Sequence, residues 1–508
     1  MLARSLLSAT ALAALATPAQ AALVISSGAT ANVSCTFHVC SATAANAVLN
    51  LRDLKAQLAT GDTTVSTTYG DLALEGSLTW SDTRRLTLYA LDSLHIDRSI
   101  EVTGPGQVWL SYRNGTSGSN ATLSFGPRGH LHFWDLSSQL TINNSPFATT
   151  PYTLVGDIAG LASAVAANPA GHYALAADYD ATPDGTYATA PVPTHLTGAF
   201  EGLGHTISHL RIVTASHGNY GLFASTDAAS SIENLALTDV FIRGTTTMSA
   251  GGIVGSAAGL LQNVSVKGTL IGRRNSILGG VVGIGTGSIT AAQSSGRITG
   301  TAGGFIGGLV GNMTGPIETS HSTAVVVGGV ATVAGGLIGG YTGDMRKSWA
   351  SGAATVGDQY VPRLQPASAG GLVGTIQNGA IIDCYATGAV QAGNASYAGG
   401  LLGSVRQSRI QTSYSTGAAV AGAGGITGGF IGFEQQAGTY VNDYWDLTTS
   451  GISDPSKGIG NVSSAPGITG LADTQLKSGL PTGFDGTIWA LDPAVAGGRP
   501  FLLVNPPN

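Results

Sequence analysis

Seven copies of one short phrase constrain this chain more than any other feature. Two glycines, two apolar residues and a glycine recur as GGIVG from Gly251, then from Gly279, Gly307, Gly335, Gly370, Gly399 and Gly428. A second phrase keeps its distance from the first. It reads Ser413-Tyr414-Ser415-Thr416-Gly417 and Cys384-Tyr385-Ala386-Thr387-Gly388, with weaker copies at Ser348–Gly352 and Ser320–Ala324. Self-similarity at a fixed spacing of this length means a repeat array. Two phrases that hold their offset mean that each repeat is one structural unit.

The unit must be β. Its apolar runs are short, rich in Val and Ile, and cut by Gly, Ser and Thr too often for a helix to nucleate. Glycine at each boundary suits a corner with positive φ and a close approach between backbones. A chain that winds once per repeat meets these demands, because each strand then pairs with the same strand one coil away, about 4.8 Å along the axis. The expectation is an all-β, right-handed parallel β-helix (β-solenoid) with short capping helices.

The double phrase resembles the GLUG repeat of bacterial surface proteins, over about 217–451 when a degenerate copy at Tyr220-Gly221-Leu222-Phe223 is counted. Upstream, 63–150 alternates apolar and polar residues, as in Leu72, Leu74, Leu78 and Trp80. That stretch resembles the β-helical shaft of filamentous-haemagglutinin-like exoproteins. The remaining segments are an opening segment (22–62), connecting coils with one short helix at Ile158–Ala167 (151–216), and a C-terminal cap (452–508). Within the opening segment, Leu49–Leu58 has helical spacing that would let a short helix cover the first coil. The cap contains a helical piece near Leu471–Lys477, then Ile488–Leu491 and Phe501–Leu503.

Residues 1–21 read as a secretory signal peptide, with Arg4, an apolar core from Leu6 to Ala16, and Ala19-Gln20-Ala21 as a cleavage site. No stretch is apolar for long enough to span a bilayer as a helix. Charged residues make up only 10% of the chain and the net charge is −6, which argues against a nucleic-acid partner. Outside the cytosol, Cys35 and Cys40 are expected to form a local disulfide. Cys384 stands in a column otherwise filled by Val264, Ala292, Ser320, Ser348 and Ser413, and reads as a small core residue.

Three features offer chemistry. Asp178, Asp180 and Asp184-Gly185 form a D-x-D-x-x-x-D-G loop, which could hold Ca²⁺ or be an ordinary Asp-rich turn. His130 and His132 share one face of a strand and could ligate a metal with a third group. His321, Trp349, Tyr385, Tyr414 and Tyr444 follow one another on successive coils, with rings about 5 Å apart if stacked in register. This column is either an interior stack or an outward ladder for sugar rings, with the insertion at Gln359–Pro366 as one wall. Acids within 217–451 are scattered singly, and no two successive repeats place one in the same column.

The expectation is an exported, non-catalytic, adhesin-like binding protein without a cofactor, whose partner is a host or matrix glycan or a surface protein. The alternatives are a carbohydrate-active β-helix enzyme, which needs convergent carboxylates, and a self-associating matrix component.

Overall fold

The computed structural model describes residues 23–112, 121–144, 149–359 and 366–507. The leader at 1–21 and most of the insertion at 359–366 lie outside these residues. The fold is an all-β parallel solenoid. Successive coils pair in register, so that Gly307 faces Gly335, Gly335 faces Gly370, Gly370 faces Gly399 and Gly399 faces Gly428. Among the described residues, antiparallel pairing is found in the hairpin Val33–Thr36/Val39–Ala42, the contact of Leu140–Thr141 with Pro151–Tyr152, the Trp489–Ala490/Phe501–Leu502 pair near the C-terminus, and an isolated bridge between Ala31 and Val48.

The repeated glycines mark a bend between two eight-stranded sheets. In one coil, the strand Val333–Gly335 stops and the strand Ile338–Tyr341 begins after the bend. Simple alternation would turn one of two adjacent apolar residues outward, but the bend buries both Leu337 and Ile338 completely. The expected corner with positive φ is elsewhere: neither Gly335 nor Gly336 has one. Space is what requires glycine here. A Cβ on Gly335 would lie 1.9 Å from the Ile338 carbonyl oxygen, and one on Gly336 would lie 2.1 Å from that of Gly371.

Left-handed backbone falls instead on the residue just before the small-residue column: Asn234, Asn263, Ala291, Thr319, Lys347, Asp383, Thr412 and Asn442, with φ between 48° and 55°. Four of these eight are Asn or Asp, the non-glycine types that tolerate this region best. The serines of the next column join the coils. The Ser348 hydroxyl accepts from the Ser320 N–H at 3.1 Å, and the Ser413 hydroxyl accepts from the Cys384 N–H at 3.2 Å. Cys384 is fully buried, its thiol donates to the Ile382 carbonyl, and burial pushes its pKa well above the ordinary value.

The two phrases keep their offset because they meet across the interior. A Cβ on Gly336 would come within 3.0 Å of the Ala350 Cβ, and one on Gly371 within 2.9 Å of the Ala386 Cβ. Where serine takes this inner position it also bonds to glycine, as Ser294 does to the Gly308 carbonyl and Ser415 to that of Gly429, both at 2.8 Å. After Ser415 the same register position is held by Trp445, fully buried against Gly429. The large ring fills the interior where the array ends.

At the N-terminal end, helix Leu51–Leu58 is capped by Asn50, whose side chain accepts from the Arg52 N–H at 2.8 Å. Leu54 and Leu58 close the first interior cluster, while Leu49 belongs to the preceding strand Ala47–Asn50. Helix Ile158–Ala167, capped by Asp157, packs on the second interior cluster. The helical piece of the C-terminal segment is Asp473–Leu476. Among the described residues, no helix is long and apolar enough to cross a membrane.

Candidate functional site

The aromatic column forms as an in-register ladder, with His321 beside Trp349, then Tyr385, Tyr414 and Tyr444. Ring centroids are 4.3 Å apart for His321–Trp349, 5.7 Å for Trp349–Tyr385 and 5.1 Å for Tyr385–Tyr414, all nearly parallel. The neighbouring Ala350 and Ala386 belong to the solenoid interior, so strand alternation turns the rings outward. Trp349, Tyr385, Tyr414 and Tyr444 are nevertheless buried, and His321 is half-buried. Trp349, Tyr385, Tyr414 and Tyr444 form a separate cluster with Phe484, Trp489 and Leu502 of the C-terminal segment, which lies over them.

That segment is also tied down by hydrogen bonds. Trp349 Nε1 donates to the Asn505 carbonyl at 2.8 Å, Tyr414 Oη to that of Pro500 at 2.5 Å, and Tyr444 Oη to that of Thr482 at 2.9 Å. The Asn505 side chain accepts from His321 Nδ1 and donates to the carbonyls of Ser320 and Lys347. Both sequence alternatives therefore need correcting. The rings are neither solenoid interior nor an open sugar platform, because the chain's own tail covers them.

The Asp178, Asp180 and Asp184 carboxylates do not converge. Asp178 accepts from the Thr206 N–H and lies 3.1 Å from His205 Nδ1; these contacts and the histidine charges outweigh burial and hold its pKa at about 2. Asp180 caps Thr182 and contacts His209 Nδ1 at 2.9 Å. Asp184 accepts from the hydroxyls of Tyr179 and Tyr187, both at 2.6 Å. Each carboxylate serves a different turn or side chain, the arrangement of an Asp-rich turn.

His130 and His132 do acquire a third group. The strand Ile100–Val102 pairs with Leu131–Phe133 so that Glu101 sits beside His132. Glu101 Oε1 lies 3.1 Å from His130 Nε2, and Oε2 lies 3.5 Å from His132 Nδ1. Burial works to raise the Glu101 pKa, but hydrogen bonds from Trp134 and His130 and the two histidine charges leave it lowered. Burial lowers that of His132.

A cleft of about 630 Å³ opens where the two parts of the solenoid join, lined by Tyr152, His172, Glu201 and Glu233 among others. Glu201 and Glu233 are register partners on adjacent coils. Burial, reinforced by the Glu233 charge, raises the Glu201 pKa well above the carboxylate range, and burial raises that of Glu233. Glu201 is held by the Leu203 N–H at 2.9 Å and the Asn234 amide at 3.2 Å. Glu201 precedes the glycine-phrase repeats and meets Glu233 only through the register of adjacent coils, so no repeat column pairs them.

The Cys35–Cys40 disulfide spans the Val33–Thr36/Val39–Ala42 hairpin. Phe37 and His38 at its tip both have positive φ, at 50° and 62°, and Phe37 is 98% exposed. No sequence pattern marked Phe37.

Comparison with known proteins adds three findings. A segment of 76 residues, 15% of the chain, is 37% identical to halomucin of Haloquadratum walsbyi, and the match spans 1% of that protein. A solved structure of a candidate immunoglobulin A1 protease from Bacteroides ovatus aligns over 65% of this chain and 85% of its own, at 16% identity and a TM-score of 0.36. Residues 366–391, which contain the fifth glycine phrase and the Cys384–Gly388 phrase, match the GLUG motif. The chain carries the GLUG motif within a parallel β-solenoid.

Proposed function

We propose that this chain is exported and acts at the cell surface or in the medium as a non-catalytic, adhesin-like binding protein. The disulfide-clamped hairpin carries the reading. Disulfides persist outside the reducing cytosol, and this one presents a fully exposed phenylalanine on two consecutive left-handed non-glycine residues. Such backbone costs on the order of 1–3 kcal/mol per residue and is kept where surrounding structure or function demands it. The solenoid is the rigid frame behind the tip. A matrix glycan or a surface protein is the proposed partner class. The test is a binding screen of the exported chain against immobilised glycans and matrix proteins, alongside Phe37→Ser. The variant should lose at least tenfold in affinity with an unchanged melting temperature. Equal binding by both proteins would remove the hairpin tip from the account.

A second reading, a carbohydrate-cleaving β-helix enzyme, is favoured by the Glu201–Glu233 cleft. Two neighbouring carboxyls whose pKa values are raised by burial are the composition of an acid–base pair. Loss of glycan cleavage in Glu233→Gln, with folding intact, would support it.

A further inference from the structure

The geometry points to a divalent transition-metal site formed by Glu101, His130 and His132, independent of the binding reading above. Strand alternation places the two histidines on one face, and the parallel register sets Glu101 against them one coil away. Among the described residues, these three are the group whose His, Cys, Asp or Glu donor atoms converge, all within 4.8 Å of one another. An ion with ligand bonds of about 2.0–2.1 Å in tetrahedral geometry sets its ligands roughly 3.4 Å apart. The carboxylate oxygens already lie 3.1 Å and 3.5 Å from the two ring nitrogens, so small side-chain rotations close the site.

The surroundings hold these groups in place. Trp134 Nε1 donates to Glu101 Oε2 at 3.0 Å, the kind of outer hydrogen bond that orients a metal-binding carboxylate. The same indole stacks on His132, with centroids 4.8 Å apart and planes 2° from parallel, although Trp134 itself is 66% exposed. The His205 ring also lies close, 5.4 Å from that of His130 and edge-on to that of His132 at 5.7 Å. Its nitrogens face the Leu131 carbonyl and Asp178, so it walls the site and is not a fourth ligand. The three ligands remain partly accessible, leaving a fourth position for water or for a donor on a bound partner. Two imidazoles and one carboxylate suit Zn²⁺ or another first-row divalent ion and do not suit Ca²⁺ or Mg²⁺, which take all-oxygen sets.

The test is calorimetric titration of the chelator-treated chain with Zn²⁺, paired with Co²⁺ absorption spectroscopy. One equivalent should bind, and Co²⁺ should give the visible bands of a four-coordinate ion. Glu101→Gln and His132→Gln should each weaken binding by about 100-fold or more. Trp134→Phe, which keeps the stack but removes the indole donor, should weaken it by about tenfold. The metal-free melting temperature of Trp134→Phe should stay near that of the parent. Should a ligand variant fail to fold, the Co²⁺ spectrum of the parent decides. No zinc binding by the folded parent, a six-coordinate Co²⁺ spectrum, or undiminished binding in a His130→Gln/His132→Gln double variant would each overturn the site.

Discussion

Gly336 shows how a single residue sets the limits of the array. A Cβ there would lie 2.1 Å from a backbone oxygen that cannot rotate away. Gly336→Ala should therefore lose about 2–3 kcal/mol in chemical denaturation through overpacking. Gly479→Ala, where a Cβ would meet nothing within 4 Å, is the matched control and should stay within about 0.5 kcal/mol of the parent. The glycines were legible in the sequence, but their cause was only half legible. Spacing showed that something was tight. It did not show that the left-handed corners fall on Ala291, Thr319 and Lys347, residue types that do not advertise positive φ. Glu201 and Glu233 give a second prediction at this scale. Both pKa values are raised in the fold, chiefly by burial. Such groups stabilise fully below the unfolded carboxylate value and lose that contribution as pH rises through the folded values. Denaturant titrations should show Glu233→Gln gaining stability relative to the parent as pH rises from about 4 to 8. A constant difference would contradict the raised values.

At the level of elements, the aromatic ladder and the tail that covers it are the informative pair. The ladder was legible because in-register stacking follows from the repeat alone. Its cover was not legible, because Trp489 and Asn505 lie far along the chain from the rings they meet and share no periodicity with them. Contacts of this kind depend on where the chain returns after the array ends. Trp349→Ala removes a buried ring and the hydrogen bond to the Asn505 carbonyl. The expected loss is about 3–5 kcal/mol, if the tail stays docked. If it instead detaches, hydrogen exchange should rise over 482–507 while the glycine-phrase strands stay protected. Faster exchange throughout 251–432, with the tail still protected, would mean that the ladder supports the solenoid and not the cover. The His130–His132 strand makes the same point on a smaller scale. The pair was visible in sequence, whereas Glu101 became its neighbour only through the register of two coils.

As a whole, the molecule is a rod closed at both ends. The helix Leu51–Leu58 and the disulfide hairpin stand at one end, and Trp445 with the C-terminal segment finishes the other. The parallel solenoid was readable from the sequence because one repeat dictates every coil of the glycine-phrase array. The junction cleft was not, since it arises where two differently patterned stretches meet. The function proposed for this solenoid is binding without catalysis. Its most direct test is to pass the exported chain over immobilised polysaccharides and matrix proteins, then size the retained material. Retention on at least one surface is expected, with the bound polymer unchanged in length. Release of shortened polysaccharide that stops in Glu233→Gln would contradict it.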